Sequence, residues 1–263
     1  MTPVQSHVLT RAQTLAYGAV GLVAFLGLWS FLSLSGVVPH QFLPAPHEVA
    51  ERFAALTSAP FAGATLQAHL ASSALRFAYG FVLGAAVGVP LGLLMGWFRI
   101  LDEIVSPIFD ALRFVAPIAW VPFAALWFGT GIGGPILIIF AGAFPPCLIN
   151  AYRGARFVSR PLIEAAQMLG TGNLRIIVEV LLPASTASIV AGLRVSAGLG
   201  WQSLIGAELI VASTGVGFMM VQAQLDISTT TVMSAMIAIG FVGVVIDVAL
   251  RALEAAVRRR GLA

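Results

Sequence analysis

The sequence contains no lysine, one cysteine and four histidines in 263 residues. Without lysine the chain cannot carry a glycine-rich phosphate loop of the kind that ends in lysine, so we expect no usual nucleotide cradle. Cys147 stands alone, which excludes an intrachain disulfide. The histidines show no metal-ligand spacing, and Cys147 has no nearby partner. We therefore expect neither a metal site nor nucleophilic catalysis.

Charge is also scarce. Only 10% of the residues are charged, whereas 59% are hydrophobic, which is too apolar for a soluble domain of this size. The formal net charge of +3 is compatible with nucleic-acid binding. However, arginines distributed over several loops are what orientation in a membrane requires. The composition predicts an all-α membrane protein that is surrounded by lipid and has no nucleic-acid partner.

Apolar runs long enough to cross a bilayer recur six times. They cover residues 15–36, 75–97, 108–128, 135–151, 186–211 and 231–250. Pro145 and Pro146 should break the fourth run, and a short helix should follow Pro46 in the connector between the first two. The expected organisation is one transmembrane domain over residues 15–250, between an N-terminal segment 1–14 and a basic tail 251–263.

Glycine recurs at every fourth residue of the second run, at Gly80, Gly84, Gly88, Gly92 and Gly96. Small residues at this spacing let two helix backbones approach closely inside a bilayer. We expect this glycine stripe to pack against another helix. The alternative is the general looseness of a glycine-rich membrane helix.

Six spans place both termini on the same side of the membrane. If that side is the cytoplasm, ten arginines lie inside, against Arg52 and Arg76 outside. Cytoplasmic loops carry the excess of basic residues, so this orientation is the expected one. It also places residues 154–184 in the cytoplasm.

Residues 164–183 form the longest charge-bearing interruption between the apolar runs. Ser159 is a suitable N-cap for a helix that Gly170 would end. Asn173 can cap a second short helix, which Pro183 would close or pass on to the next run. The pattern predicts a helix, a tight turn and a helix. An ordinary amphipathic surface helix is the simplest interpretation of these residues alone.

The same stretch resembles the EAA loop of permease subunits of bacterial ATP-binding-cassette importers. The anchors are Glu164-Ala165-Ala166, then Gly170, then Val180-Leu181-Leu182-Pro183, with valine in place of the family's isoleucine. The resemblance implies the type I importer permease fold, with a coupling helix seated in a cleft of a separate ATPase that binds ATP and magnesium. The coupling residues that it implies are Glu164, Ala165, Ala166, Gly170, Leu182 and Pro183.

Further motifs look like those of the permease branch that serves nitrate, taurine, alkanesulfonates and related small molecules. They are Leu43-Pro44-Ala45-Pro46, Trp127-Phe128-Gly129, Gly192-Leu193-Arg194, Ala207-Glu208-Leu209 and Gly215-Val216-Gly217. This resemblance implies a bacterial inner-membrane location, a second permease copy, two ATPase subunits and a periplasmic binding protein. It also implies a small organic or inorganic anion as solute, without naming one. A self-sufficient secondary transporter or channel is the alternative.

Glu208 is the leading candidate for a residue that lines the solute pathway, because a charge inside a bilayer is costly and is usually functional. Trp201, Gln202 and Ser203 lie near it on the fifth run and are candidates with it. Hydrogen bonding between helices is the alternative role for Glu208.

Arg113 is a further pathway candidate because it could attract an anion. Asp110 lies three residues earlier on the same helix and can pair with it, which favours a structural role. In the same way, Asp247 is placed to pair with Arg251 four residues later.

Overall fold

The computed structural model describes residues 11–129 and 131–259, and this part of the chain contains eleven α-helices. They are α1 (Arg11–Leu34), α2 (Pro46–Ser58), α3 (Leu66–Trp97), α4 (Arg99–Leu112), α5 (Val121–Phe128), α6 (Gly133–Arg156), α7 (Arg160–Met168), α8 (Asn173–Ile176), α9 (Leu182–Val211), α10 (Val216–Leu225) and α11 (Thr229–Arg259). A 3-10 turn (Pro117–Trp120) precedes α5, and a π-helical segment (Ile177–Leu181) joins α8 to α9. The expected all-α class is confirmed.

Within the described residues, five helical segments are long and apolar enough to cross a membrane, and the bent pair α4 and α5 would make a sixth. The five are Ala16–Leu34, Leu66–Trp97, Gly133–Arg156, Asn173–Val211 and Thr229–Val257. They coincide with the first, second, fourth, fifth and sixth predicted runs, and most extend beyond the predicted limits.

The predicted third span, 108–128, covers parts of two helices that meet at a bend. The first helix begins earlier, at Arg99, and α4 meets the segment Pro117–Phe128 at an angle of 87°. Pro117 favours the bend, because a proline disfavours helical geometry at the residue before it. Ala116 accordingly has an extended ψ of 138°. We call this bend, residues 113–120, the elbow.

The break expected at Pro145 and Pro146 is wrong, because α6 continues through both prolines to Arg156. Prolines are tolerated inside membrane helices when neighbouring helices support the backbone. Here α3 and α9 both pack on α6.

Helix α6 lies between α3 and α9 at the centre of the fold. Every glycine of the glycine stripe faces it. A methyl group at Gly84 would lie 3.2 Å from Ala143 Cβ, and one at Gly88 would lie 2.8 Å from Cys147 Cβ. On the opposite side, Gly192 of α9 approaches Asn150 in the same way. Small residues on both interfaces therefore let three backbones pack closely.

A cap of short elements covers one end of this centre. Leu56 of α2, Leu66 of α3, Met219 of α10 and Ala235 of α11 belong to one buried cluster there. We call this end of the molecule the α2 end and the opposite end, where α7 lies, the α7 end. Helix α1 has few buried residues and is held to the connector partly by Trp29, which donates to the Pro44 carbonyl over 3.0 Å.

Candidate solute pathway and coupling surface

A cavity of about 710 Å³ opens between the elbow, α6 and α9. Its charged and polar side chains come from Arg113, Asn150, Arg153, Gln202 and Ser203, and we call it the arginine cavity. Among the described residues that line it there is no aspartate or glutamate. Its cationic lining side chains are Arg153 and Arg113, of which Arg113 also pairs with Asp110, and guanidinium groups are well suited to binding anions. Its volume is in the usual range for small-molecule sites.

On the α6 wall, Pro146, Asn150 and Arg153 follow one another at i, i+4 and i+7, so they share one helix face. Arg153 lies in the last turn of α6, where the free carbonyl groups of a helix favour a cation. This face carries the polar groups of the cavity toward the α7 end.

On the α9 wall, Gln202, Ser203 and Gly206 line the cavity. Ser203 Oγ donates to the Leu199 carbonyl over 2.7 Å, which leaves the hydroxyl oxygen able to accept another hydrogen bond. A Cβ atom at Gly142 of α6 would collide with the Ser203 side chain, so glycine at this position is what lets α9 approach α6 here.

At the elbow, Arg113 forms the ion pair with Asp110 that the sequence predicts, with 3.0 Å between Nε and Oδ1. The guanidinium also lies 4.9 Å from the centre of the Phe114 ring. Both partners of the ion pair are well exposed, and exposed pairs of this kind are weak. An anion in the cavity can therefore compete with Asp110 for Arg113.

The structure separates the predicted pathway residues into two groups. Arg113, Gln202 and Ser203 line the arginine cavity, whereas Trp201 and Glu208 are not among its lining residues. Positions 201 and 208 are seven residues apart, close to two full turns, and lie on the face of α9 opposite 202 and 203. Trp201 Nε1 accordingly donates to the Ile239 carbonyl of α11 over 3.2 Å.

Glu208 is buried at a junction of three helices. Ser73 of α3 lies 2.8 Å from each of its carboxylate oxygens, and the Gly217 amide of α10 donates to it over 3.0 Å. Arg76 of α3 supplies its counter-charge. This arrangement corresponds to the alternative role of hydrogen bonding between helices.

Asn150 and Arg153 are cavity residues that the sequence did not identify. Arg153 is one of the ten arginines that indicate the orientation, and Asn150 carries no charge that would single it out. Their common spacing from Pro146 along one helix face was the available signal. The spacing does not indicate that this helix face contacts α9 and the elbow rather than lipid.

Residues 159–183 form the expected helix, turn and helix at the α7 end. Ser159 is the N-cap of α7, and Gly170 adopts a left-handed φ of 75°, as a helix-ending glycine does. The N-cap of the second helix is Gly172 and not the predicted Asn173, which is the first helical residue. The helix passes through the π-helical segment directly into α9, with Pro183 in the first turn of α9. Pro183 therefore continues the helix rather than closing it.

This hairpin leaves apolar side chains uncovered. Met168, Leu169 and Leu174 are 90%, 85% and 76% exposed, and Glu164 is exposed on the same short helix as Met168. Ala166 is the buried residue of α7. An exposed apolar patch with a polar rim is typical of a protein-binding surface. We call residues 160–174 the coupling surface.

Comparison with known proteins identifies the family. Residues 88–260 match the profile of the family described as binding-protein-dependent transport system inner membrane component. The chain belongs to this family.

Its relatives include permeases from bacteria and archaea. The permease is 33% identical to the taurine transport system permease protein TauC of Escherichia coli over 247 residues, which is 94% of this chain and 89% of that protein. It is 42% identical to a putative ABC transporter permease protein of Methanocaldococcus jannaschii over 180 residues, 68% of this chain and 67% of that protein. The prediction of an importer permease, a transport subunit whose ATPase is a separate protein, is confirmed.

A solved structure shares the fold. The permease superimposes on a chain of the inward-facing MetNI methionine ABC transporter with a TM-score of 0.59 and 21% identity, covering 71% of this chain and 91% of that one. At this identity the likeness concerns the fold alone, and it confirms the type I importer permease architecture.

Proposed function

We propose that the permease forms the pathway by which a small organic or inorganic anion, of the taurine, alkanesulfonate or nitrate kind, is imported by alternating access. The observation that carries this proposal is the arginine cavity. It offers Arg113 and Arg153 to an anion without a lining carboxylate among the described residues. The taurine permease among its relatives is consistent with a solute that carries a sulfonate group.

The coupling surface supports the second half of the proposal, that a separate ATPase pair drives transport. Its apolar residues need a partner, and α8, the π-helical segment and α9 form one continuous rod from this surface to the cavity wall. Closure of the two ATPase subunits on ATP and magnesium would push the coupling surface. The rod would then carry that movement to Gln202 and Ser203.

We further propose the assembly and its orientation. A second copy of the permease would close the open side of the arginine cavity, and a periplasmic binding protein would deliver solute at the α2 end. The α7 end would lie in the cytoplasm with both termini, as the distribution of arginines predicts.

Reconstitution in liposomes tests this function. The permease would be combined with its cognate ATPase and binding protein, and uptake of labelled taurine, nitrate and alkanesulfonates would be measured. We expect uptake of at least one of these anions that requires all three proteins and ATP. Uptake by the permease alone, without nucleotide, would instead favour a self-sufficient carrier.

A charge reversal at the coupling surface separates coupling from solute binding. Glu164→Arg should lower solute uptake relative to the unaltered permease while ATP hydrolysis continues, because the reversed charge misaligns the contact with the ATPase. Glu103→Arg is the matched control, since Glu103 is an exposed glutamate on α4 outside the coupling surface. Normal uptake by the Glu164 variant would remove this residue from the coupling role.

A further inference from the structure

A second pocket, of about 270 Å³, adjoins the arginine cavity between α4 and α6. The two spaces share Arg113, Val115, Ala141 and Pro145 among their lining residues, so they meet at the elbow. We call the second space the aromatic pocket. Arg113 is thus the one charged side chain, among the described residues, that lines both spaces.

The wall of the aromatic pocket is apolar and rich in rings. Phe140 and Phe144 stack on one another with 5.2 Å between centroids, and Phe109 meets Phe144 edge-on at 6.1 Å. Trp120 of the 3-10 turn lies on the elbow side of the pocket. Apart from Arg113, its described lining side chains carry no charge. Transfer of hydrocarbon from water into such a pocket is favourable.

The two spaces together match an amphipathic anion. Resting on the function proposed above, we propose that the transported solute is an organic anion with an apolar chain or ring. Its sulfonate or carboxylate lies in the arginine cavity beside Arg113, and its hydrocarbon part lies in the aromatic pocket. Arg113, whose ion pair with Asp110 is exposed and therefore weak, supplies the charge that selects this occupant over an uncharged one. A pocket of about 270 Å³ is ample, since a cavity of about 150 Å³ accepts benzene.

This placement divides the anions expected from the sequence. Nitrate has no hydrocarbon to place in the aromatic pocket, and taurine ends in an ammonium group that an apolar wall beside Arg113 disfavours. An alkanesulfonate fills both spaces. Each methylene group that enters the pocket should strengthen binding about fourfold, the factor that corresponds to burial of one methylene.

A competition series tests the inference on the full-length permease in phosphatidylcholine nanodiscs. Labelled methanesulfonate is the probe, and unlabelled methanesulfonate, propane-1-sulfonate, pentane-1-sulfonate, benzenesulfonate and pentan-1-ol are the competitors. We expect pentane-1-sulfonate to compete about 250-fold more strongly than methanesulfonate, which is about fourfold for each of the four added methylenes. Pentan-1-ol should not displace the probe, which distinguishes the site from simple partition into lipid.

Variants locate the chain-length dependence. Val105→Phe fills the aromatic pocket, and Leu112→Gln places an amide in its wall at a half-exposed position that tolerates polarity. Both should weaken the binding of pentane-1-sulfonate much more than that of methanesulfonate, so that most of the chain-length advantage is lost. Ile104→Phe is the matched control, because Ile104 is an exposed residue of α4 that lines neither space.

The outcomes are distinct. If methanesulfonate binds but the strength of competition does not depend on chain length, the inference is overturned. The aromatic pocket would then be assigned to a lipid chain or to a second copy of the permease. A chain-length dependence that persists in both Val105→Phe and Leu112→Gln would also overturn it. A different result would count against the proposed anion pathway itself. It is that neither the sulfonates nor nitrate bind, and that Arg153→Gln behaves like the unaltered protein.

Discussion

Arg76 and Glu208 form a buried ion pair, with 2.9 Å between Nη1 and Oε1 and only 6% and 0% of the two side chains exposed. Arg76 also donates to the carbonyl and to the hydroxyl of Thr214, in the loop between α9 and α10. His69 lies seven residues, about two turns, before Arg76 on α3. It accepts a hydrogen bond from the Gly215 amide over 3.2 Å. The pair therefore ties α3, α9 and the start of α10 together at the α2 end.

Removal of one partner of this pair should destabilise the permease strongly. Glu208→Gln keeps the shape but leaves the Arg76 charge buried without its counter-charge, at a cost of about 3–5 kcal/mol in the free energy of unfolding. The effect is measured as a lower melting temperature in detergent.

The double variant Arg76→Met with Glu208→Leu should recover part of the loss of stability. Asp110→Asn, at an exposed pair, should change the melting temperature little. Equal melting temperatures for Glu208→Gln and Asp110→Asn would contradict this account.

The glycine stripe should not tolerate a methyl group. Gly88→Ala places a Cβ atom 2.8 Å from Cys147 Cβ, so α3 and α6 must separate, with a loss of about 1–3 kcal/mol from overpacking. Thermal unfolding measures it. Gly27→Ala in α1 is the control, because nothing lies within 4 Å of a Cβ atom there. Cys147→Gly in combination with Gly88→Ala removes the contacting atom and should restore part of the stability. No difference between the Gly88 and Gly27 variants would show that the α3–α6 contact is looser than described.

The turn of the coupling surface should depend on the backbone of Gly170. Gly170→Val forces a β-branched residue into a left-handed conformation and should reorient α7. We expect uptake to fall several-fold more than ATP hydrolysis in reconstituted vesicles. Gly172→Ala is the matched control, since Gly172 has an ordinary φ of −70° that alanine adopts freely. Equal coupling ratios in the two variants would mean that the turn does not position the contact with the ATPase.

The charge of Arg153 should matter for the affinity of the pathway for its solute. Arg153→Gln removes one of two cavity arginines, so the KM for anion uptake should rise about tenfold or more while the maximal rate changes less. Arg156→Gln is the control. Arg156 lies three residues further along α6, beside the Tyr152 ring, and does not line the cavity. A similar KM in the two variants would exclude Arg153 from the solute pathway.

Features that depend on neighbours along the chain were predictable. The pairs Asp110 with Arg113 and Asp247 with Arg251 follow from helical spacing, and both are present, at 3.0 and 2.7 Å. The turn at Gly170 follows from the same local rules. Arg194 also reaches Asp247, over 2.8 Å between Nε and Oδ1, and this contact between α9 and α11 could not be foreseen from spacing within one helix.

Prolines have different effects at two places in the chain. Pro117 follows the end of α4 at Leu112 and opens the 3-10 turn, whereas Pro145 and Pro146 lie inside α6. A proline removes one backbone hydrogen bond and bends the chain only where surrounding helices do not hold the backbone straight. For α6, flanked by α3 and α9, that support comes from residues distant in sequence.

The sequence by itself determined the membrane class, the apolar runs, the glycine stripe and the helical hairpin of the coupling surface. Each of these depends on composition or on contacts within a few turns of one helix. Only the tertiary structure decided that Glu208 faces Arg76 while Gln202 and Ser203 face the cavity, and that Asn150 and Arg153 join them there. A helix periodicity fixes which residues share a face, but the partner of that face depends on how separate helices pack.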